Sequence, residues 1–163
     1  MKLLILLGIE GVLIPAAREA GPGPAPEPAL SDTRAALVAR LGALGRIAWV
    51  STWPAEQTHR LEKRLQLPAA PFRVPLLSGT LDATDAATPK LRPVSRWLAR
   101  MEVQGEADWD AVVWIDDMFG ADAGEWAHRY GRPVLLEKPT PAQGLTEVHV
   151  VAVEVFVAGI AGD

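Results

Sequence analysis

Leu3-Leu4-Ile5-Leu6-Leu7-Gly8-Ile9-Glu10-Gly11-Val12-Leu13-Ile14-Pro15 is the stretch that decides the fold. Five apolar residues in succession, broken by Gly8 and Gly11 and closed by Pro15, read as a strand buried on both faces that runs into a tight loop. Strands without a polar face belong to parallel α/β sheets, whose two sides are covered by helices. In open sheets of that kind ligands sit beyond the carboxyl ends of the strands, so the loop from Gly8 to Val12 is where chemistry is expected. One carboxylate stands in it, Glu10.

A second stretch has the same form. Trp109-Asp110-Ala111-Val112-Val113-Trp114-Ile115-Asp116-Asp117 is an apolar strand that ends in two adjacent carboxylates and turns into a helix through Phe119-Gly120-Ala121. Alternation at a strand end lets one of the two point into a site while the other turns back to hold loop N–H groups. A capping role accounts for one Asp of the pair but poorly for both. Arg46 to Val50 reads as another strand, running into Ser51-Thr52-Trp53-Pro54, and Arg132 to Leu136 as a further one.

Helices are expected from Ser31 or Asp32 to Leu44 with Gly45 as the stop, from Pro54 to Leu67, and after Thr88-Pro89-Lys90, where Val94, Trp97, Leu98 and Met101 form an apolar stripe. A short strand is expected at 72–77, and Asp82 and Asp85 beyond it read as turn residues. Residues 147–160 are rich in β-branched side chains and read as strand on propensity alone. Thr146 as a cap, with Val148, Val151, Val155 and Phe156 at helical spacing, favours a terminal helix. Residues 16–30 carry prolines and glycines in alternation and read as a stiff extended loop, either a connector or a flap leaving the edge of the site.

These stretches resemble the motifs of the haloacid-dehalogenase-like superfamily, and the resemblance spans nearly the whole chain. In that superfamily the first strand ends in Asp-x-Asp-Gly-Val-Leu; here the same frame reads Gly8-Ile9-Glu10-Gly11-Val12-Leu13. The resemblance implies a three-layer, Rossmann-like parallel sheet flanked by helices. The small bacterial, capless branch is the one it points to, with residues 1–163 as one domain and no large cap. It implies that Ser51, with Thr52 in reserve, and Gly11 hold a phosphate. Lys90 would steady the phosphate and the nucleophile, and Asp116, Asp117 and Glu10 would bind Mg²⁺. It implies too that the first Asp, the nucleophile and a metal ligand, is Gly8, which can do neither job. With that anion gone, Lys90 is expected to have lost its main partner. The bare residue types allow blander roles: a Ser-Thr pair after a strand is usually a helix cap, favoured here by Pro54 as first helical residue, and a Lys is usually solvated. A cation at a helix N-terminus opposes the dipole, so the place of Lys90 calls for another reason.

Composition bounds the rest. The chain has 163 residues, half of them apolar, and suits one globular domain. It has no Cys, which excludes disulfides and thiolate chemistry and is compatible with a reducing cytosol. A net charge of -4 gives no strong nucleic-acid signal, though a local basic patch is compatible with it. Glu10 interrupts the N-terminal apolar run, which argues against a secretion signal, and no stretch is long enough to span a membrane, so a cytoplasmic protein is expected. A small or phosphorylated ligand is the expected partner. Three functions stay open: a binding or regulatory domain without turnover, an enzyme that uses Glu10 as acid/base on another substrate, and a weak Mg²⁺-dependent phosphohydrolase that activates water directly. Glu10, Lys90 and Asp116 are the catalytic candidates.

Overall fold

The structure, a computed structural model, describes residues 1–14, 30–76 and 87–162. The expected flap at 16–30, apart from Leu30, lies outside the described residues, as do Asp82 and Asp85. In chain order the elements are β1 (Leu3–Leu7), α1 (Asp32–Leu44), β2 (Arg46–Trp49), α2 (Ala55–Leu65), β3 (Phe72–Arg73), α3 (Leu91–Val103), β4 (Ala111–Ile115), α4 (Ala121–Arg129), β5 (Val134–Glu137) and α5 (Glu147–Ala161). The strands form one parallel sheet in the order β3-β2-β1-β4-β5.

The apolar runs end up where a parallel sheet puts them. All five residues of β1 and all five of β4 are buried, and the two strands pair in register from Leu3 opposite Ala111 to Leu7 opposite Ile115. Leu3, Ile5 and Leu7 face one core with α1, α2 and α5; Leu4 and Leu6 face the other with α3 and α4. Each such fully buried Leu or Ile contributes about 1.5–3 kcal/mol. β3 is only two residues long, shorter than the run at 72–77, because β2 offers it just Ala48 and Trp49 as partners at the sheet edge.

Residues 147–160 are helical. The Thr146 N–H donates to His149 Nδ1 at 3.0 Å, which satisfies a backbone donor at the helix start, and Val150 and Val153 are fully buried while Val148, Val151 and Val155 are exposed. Ser31 caps α1 by accepting from the Arg34 N–H. Gly45, at its other end, lies so close to β1 that a Cβ there would stand 2.5 Å from the Leu3 carbonyl. α2 starts one residue later than expected, with Pro54 as its N-cap. No helix among the described residues is long and apolar enough to cross a membrane.

Candidate functional site

The carboxyl ends of β1, β2 and β4 are held side by side by backbone bonds that continue the ladder. The Gly8 N–H donates to the Ile115 carbonyl at 3.0 Å, Val50 to Leu7 at 2.9 Å, and Asp116 to Glu137 at 3.1 Å. The three loops that carry the candidate residues therefore leave from one edge. A further brace comes from the Pro141 to Thr146 stretch, where the Leu145 N–H donates to the Val12 carbonyl at 2.7 Å. Gly144 is required there: its φ is +65°, and a Cβ would stand 2.4 Å from the Val12 carbonyl. Arg34 donates to the carbonyls of Leu13 and Gln143 and so fastens the β1 loop to this brace.

Asp116 lies at the bottom of the site, with a side chain 1% exposed. Lys90 Nζ donates to its Oδ2 at 2.9 Å, and the Met118 N–H donates to its Oδ1 at 3.3 Å. Burial pushes the Asp116 carboxyl up to about 6; the Lys90 charge pulls it down, and neighbouring Asp117 adds to the rise. Position 8 holds no anion, as expected, but Lys90 is not left without a partner, because Asp116 takes its charge. Its side chain is only 16% exposed, so it is not a solvated lysine either, and it stands as the N-cap of α3 because Asp116 offsets the unfavourable dipole.

Lys90 is placed by a network not foreseen from the sequence. The Asp122 carboxylate, in the first turn of α4, accepts from the Thr88 N–H at 2.9 Å and from Thr88 Oγ1–H at 2.7 Å. The Gly120 N–H in turn donates to Thr88 Oγ1 at 2.8 Å. Burial pushes Asp122 up, but these bonds outweigh it and hold its carboxyl below the ordinary value. Paired Thr and Asp residues at two helix starts were the available signal.

Glu10 goes elsewhere. Gly11 has a φ of +77°, and a parallel bridge between Glu10 and Ile14 closes the turn, which buries Ile9 and leaves Glu10 exposed. Its Oε1 accepts from Trp53 Nε1 at 3.1 Å at the rim. Asp117 is half-buried and packs beneath Gly11, where a Cβ would come within 2.2 Å of Asp117 Oδ2. Ser51 does not cap α2: its Oγ accepts from the Trp53 N–H at 3.1 Å, closing a turn that leaves Thr52 exposed beside it. Gly8 lies over Asp116, and a Cβ built on it would stand 3.1 Å from Asp116 Oδ2 and 3.2 Å from Val12 Cγ2.

A parallel α/β sheet with a Lys–Asp ion pair at the ends of its central strands, flanked by a Ser–Thr turn, is the core of a haloacid-dehalogenase-type domain. More narrowly, the chain belongs to the family of the HAD domain in Swiss Army Knife RNA repair proteins, whose model matches residues 4–150. No curated protein and no solved structure matches the chain. Domains of this superfamily generally use Mg²⁺. The donors here do not fit that ion: Asp116 Oδ2 is taken by Lys90, Glu10 is turned to Trp53, and no group of three acidic or His side chains converges among the described residues.

Proposed function

We propose that this domain binds the phosphorylated end of an RNA and does not pass the phosphate through a phosphoaspartate. One observation carries the reading: at the position of the superfamily's nucleophile stands Gly8, and directly beneath it Asp116 and Lys90 are closed into a buried pair. Loss of a nucleophile costs several orders of magnitude in rate, whereas the groups that hold a phosphate are retained. Ser51 and Thr52 offer hydroxyl donors at the mouth, and Lys90 offers charge. Asp116, held near 6, takes up a proton at small cost and so frees Lys90 for an incoming phosphate. RNA as the bearer of that phosphate is taken from the family description.

A second reading is favoured by the Trp53–Glu10 bond, which holds an exposed carboxylate at the rim where a general acid or base would stand. The Glu10→Gln variant separates the two, since binding survives it and proton transfer does not.

The test uses oligoribonucleotides with a 5′-phosphate, a 3′-phosphate or neither, with binding read by fluorescence polarisation and phosphate release read separately. The expected result is at least tenfold tighter binding of one phosphorylated end, with that phosphate left intact. A Gly8→Asp, Glu10→Asp double variant should gain Mg²⁺-dependent release. Binding indifferent to the end phosphate, or release by the unmutated protein that EDTA stops, refutes the proposal; the latter outcome would instead establish the Mg²⁺-dependent phosphohydrolase.

A further inference from the structure

The solvent face of α3 carries Arg92, Arg96 and Arg100, and it is the part of the molecule that the site chemistry leaves unexplained. The apolar face of the same helix is spent in the core through Val94, Trp97, Leu98 and Met101. Four-residue spacing keeps the three guanidinium groups on one side, each about 6 Å further along the axis, in a row about 12 Å long. With Pro75, Pro89 and the edge of Trp97 they line an open groove of about 490 Å³.

Helix stability does not account for this row. Like charges at four-residue spacing repel, each pair costing a few tenths of a kcal/mol. Arg92 in the first turn also stands at the end of the helix dipole where a cation is disfavoured. Elsewhere among the described residues Arg40, Arg60, Arg64 and Arg132 pair with carboxylates and Arg34, Arg46 and Arg73 bond backbone carbonyls, while Arg129 is a single exposed arginine with no ion pair. Arg92, Arg96 and Arg100 make no ion pair among the described residues, in a chain whose net charge is -4. Three positive charges in a row, unpaired among the described residues, are relieved by a partner with negative charge at regular intervals, and guanidinium groups match phosphate through paired N–H donors. The row also begins two residues from Lys90, whose ammonium lies in the site.

We infer that the Arg92, Arg96 and Arg100 face of α3 is the track along which a single RNA strand leaves the site, each guanidinium taking a backbone phosphate. The inference rests on the end-phosphate reading for where the strand starts, and names the residues that hold the rest of it.

The experiment compares a ribonucleotide of about ten residues with a dinucleotide bearing the same terminal phosphate, over a range of salt concentrations, on the full chain. Three phosphate contacts to a single strand correspond to a loss of about 2 in the slope of log K against log salt. At about 0.1 M salt the Arg92→Gln, Arg96→Gln, Arg100→Gln triple variant should therefore bind the longer RNA about a hundredfold more weakly, with dinucleotide binding unchanged. The triple Arg→Lys variant should keep most of the salt-dependent part and serves as the control for folding. If the dinucleotide binds and the longer RNA binds no tighter, the track is refuted and the end-phosphate reading stands. If only the longer RNA binds, and does so through the arginines, the end-phosphate reading fails and the track stands. Unchanged binding of the longer RNA by the triple Gln variant overturns the inference, as does a polyglutamate peptide of equal charge that binds as tightly through the same arginines.

Discussion

Replacing Lys90 by Met tests the electrostatics of the site directly. Met keeps the length and apolar bulk of the lysine stem and removes the charge that Asp116 faces at 2.9 Å. Removing one partner of a buried pair typically costs about 3–5 kcal/mol, because the remaining charge is left unpaired. Here the cost must depend on pH. In the unmutated protein Asp116 is raised from 3.8 to about 6, so its contribution to stability is present at low pH, declines as pH rises from 3.8 to 6, and is level beyond. Without Lys90, burial and Asp117 still push the carboxyl up and nothing pulls it down. The decline then continues past pH 6, by about 1.4 kcal/mol per pH unit. At pH 5 both proteins hold a neutral Asp116, and the difference shrinks to the lost hydrogen bond, about 1 kcal/mol. At pH 8 the gap should have widened by about 2 kcal/mol over its value at pH 6 for a carboxyl that stays protonated throughout, and by less for one that ionises in between. Urea denaturation followed by tryptophan fluorescence at pH 5, 6, 7 and 8 reads this, with the urea slope checked for constancy. In the Asp116→Asn background the widening should vanish. A gap that is constant or narrows with rising pH refutes the pairing.

Two further outcomes follow from local geometry. Asp122→Asn removes the charge that accepts from Thr88, so it should cost about 1–3 kcal/mol, a fall of roughly 2–4 °C in Tm for each kcal/mol. The Thr88→Val variant should cost less in the Asp122→Asn background than alone, since both act through the same bonds. Gly45→Ala, whose Cβ would meet the Leu3 carbonyl at 2.5 Å, should cost about 1–3 kcal/mol. Gly159→Ala in α5, with nothing within 4 Å, should instead stabilise by about 0.5–1 kcal/mol; equal effects in thermal melts would show that steric approach is not what selects glycine at 45.

The sheet was readable because burial on both faces leaves an uninterrupted apolar run, as in Leu3–Leu7 and Ala111–Ile115. Strand order was not, since no periodicity in β1 says that β2 lies on one side and β4 on the other. In α5 the local preference of valines for strand lost to a cap and to the packing of Val150 and Val153, contacts that exist only in the folded chain. The shortness of β3 likewise reflects what β2 presents to it, not the residues at 72–77 themselves.

The site divides along the same line. Residue types at strand ends were readable, and directions of side chains were not. Motif spacing alone implies that Glu10 faces the same centre as Asp116, but the left-handed turn at Gly11 sends Ile9 inward and Glu10 to Trp53. Lys90 and Asp116 are 26 positions apart and meet only through the packing of α3 beside β4. Their pairing bears on Gly8. One ammonium against one buried carboxylate is balanced without a further cation. A second carboxylate at position 8 would stand in contact with Asp116 Oδ2, where two like charges cannot both ionise unless a cation joins them. Glycine at position 8 and a donor set that does not converge on a divalent ion are therefore consistent with each other: removing the nucleophile also removes the surplus negative charge that a metal would neutralise.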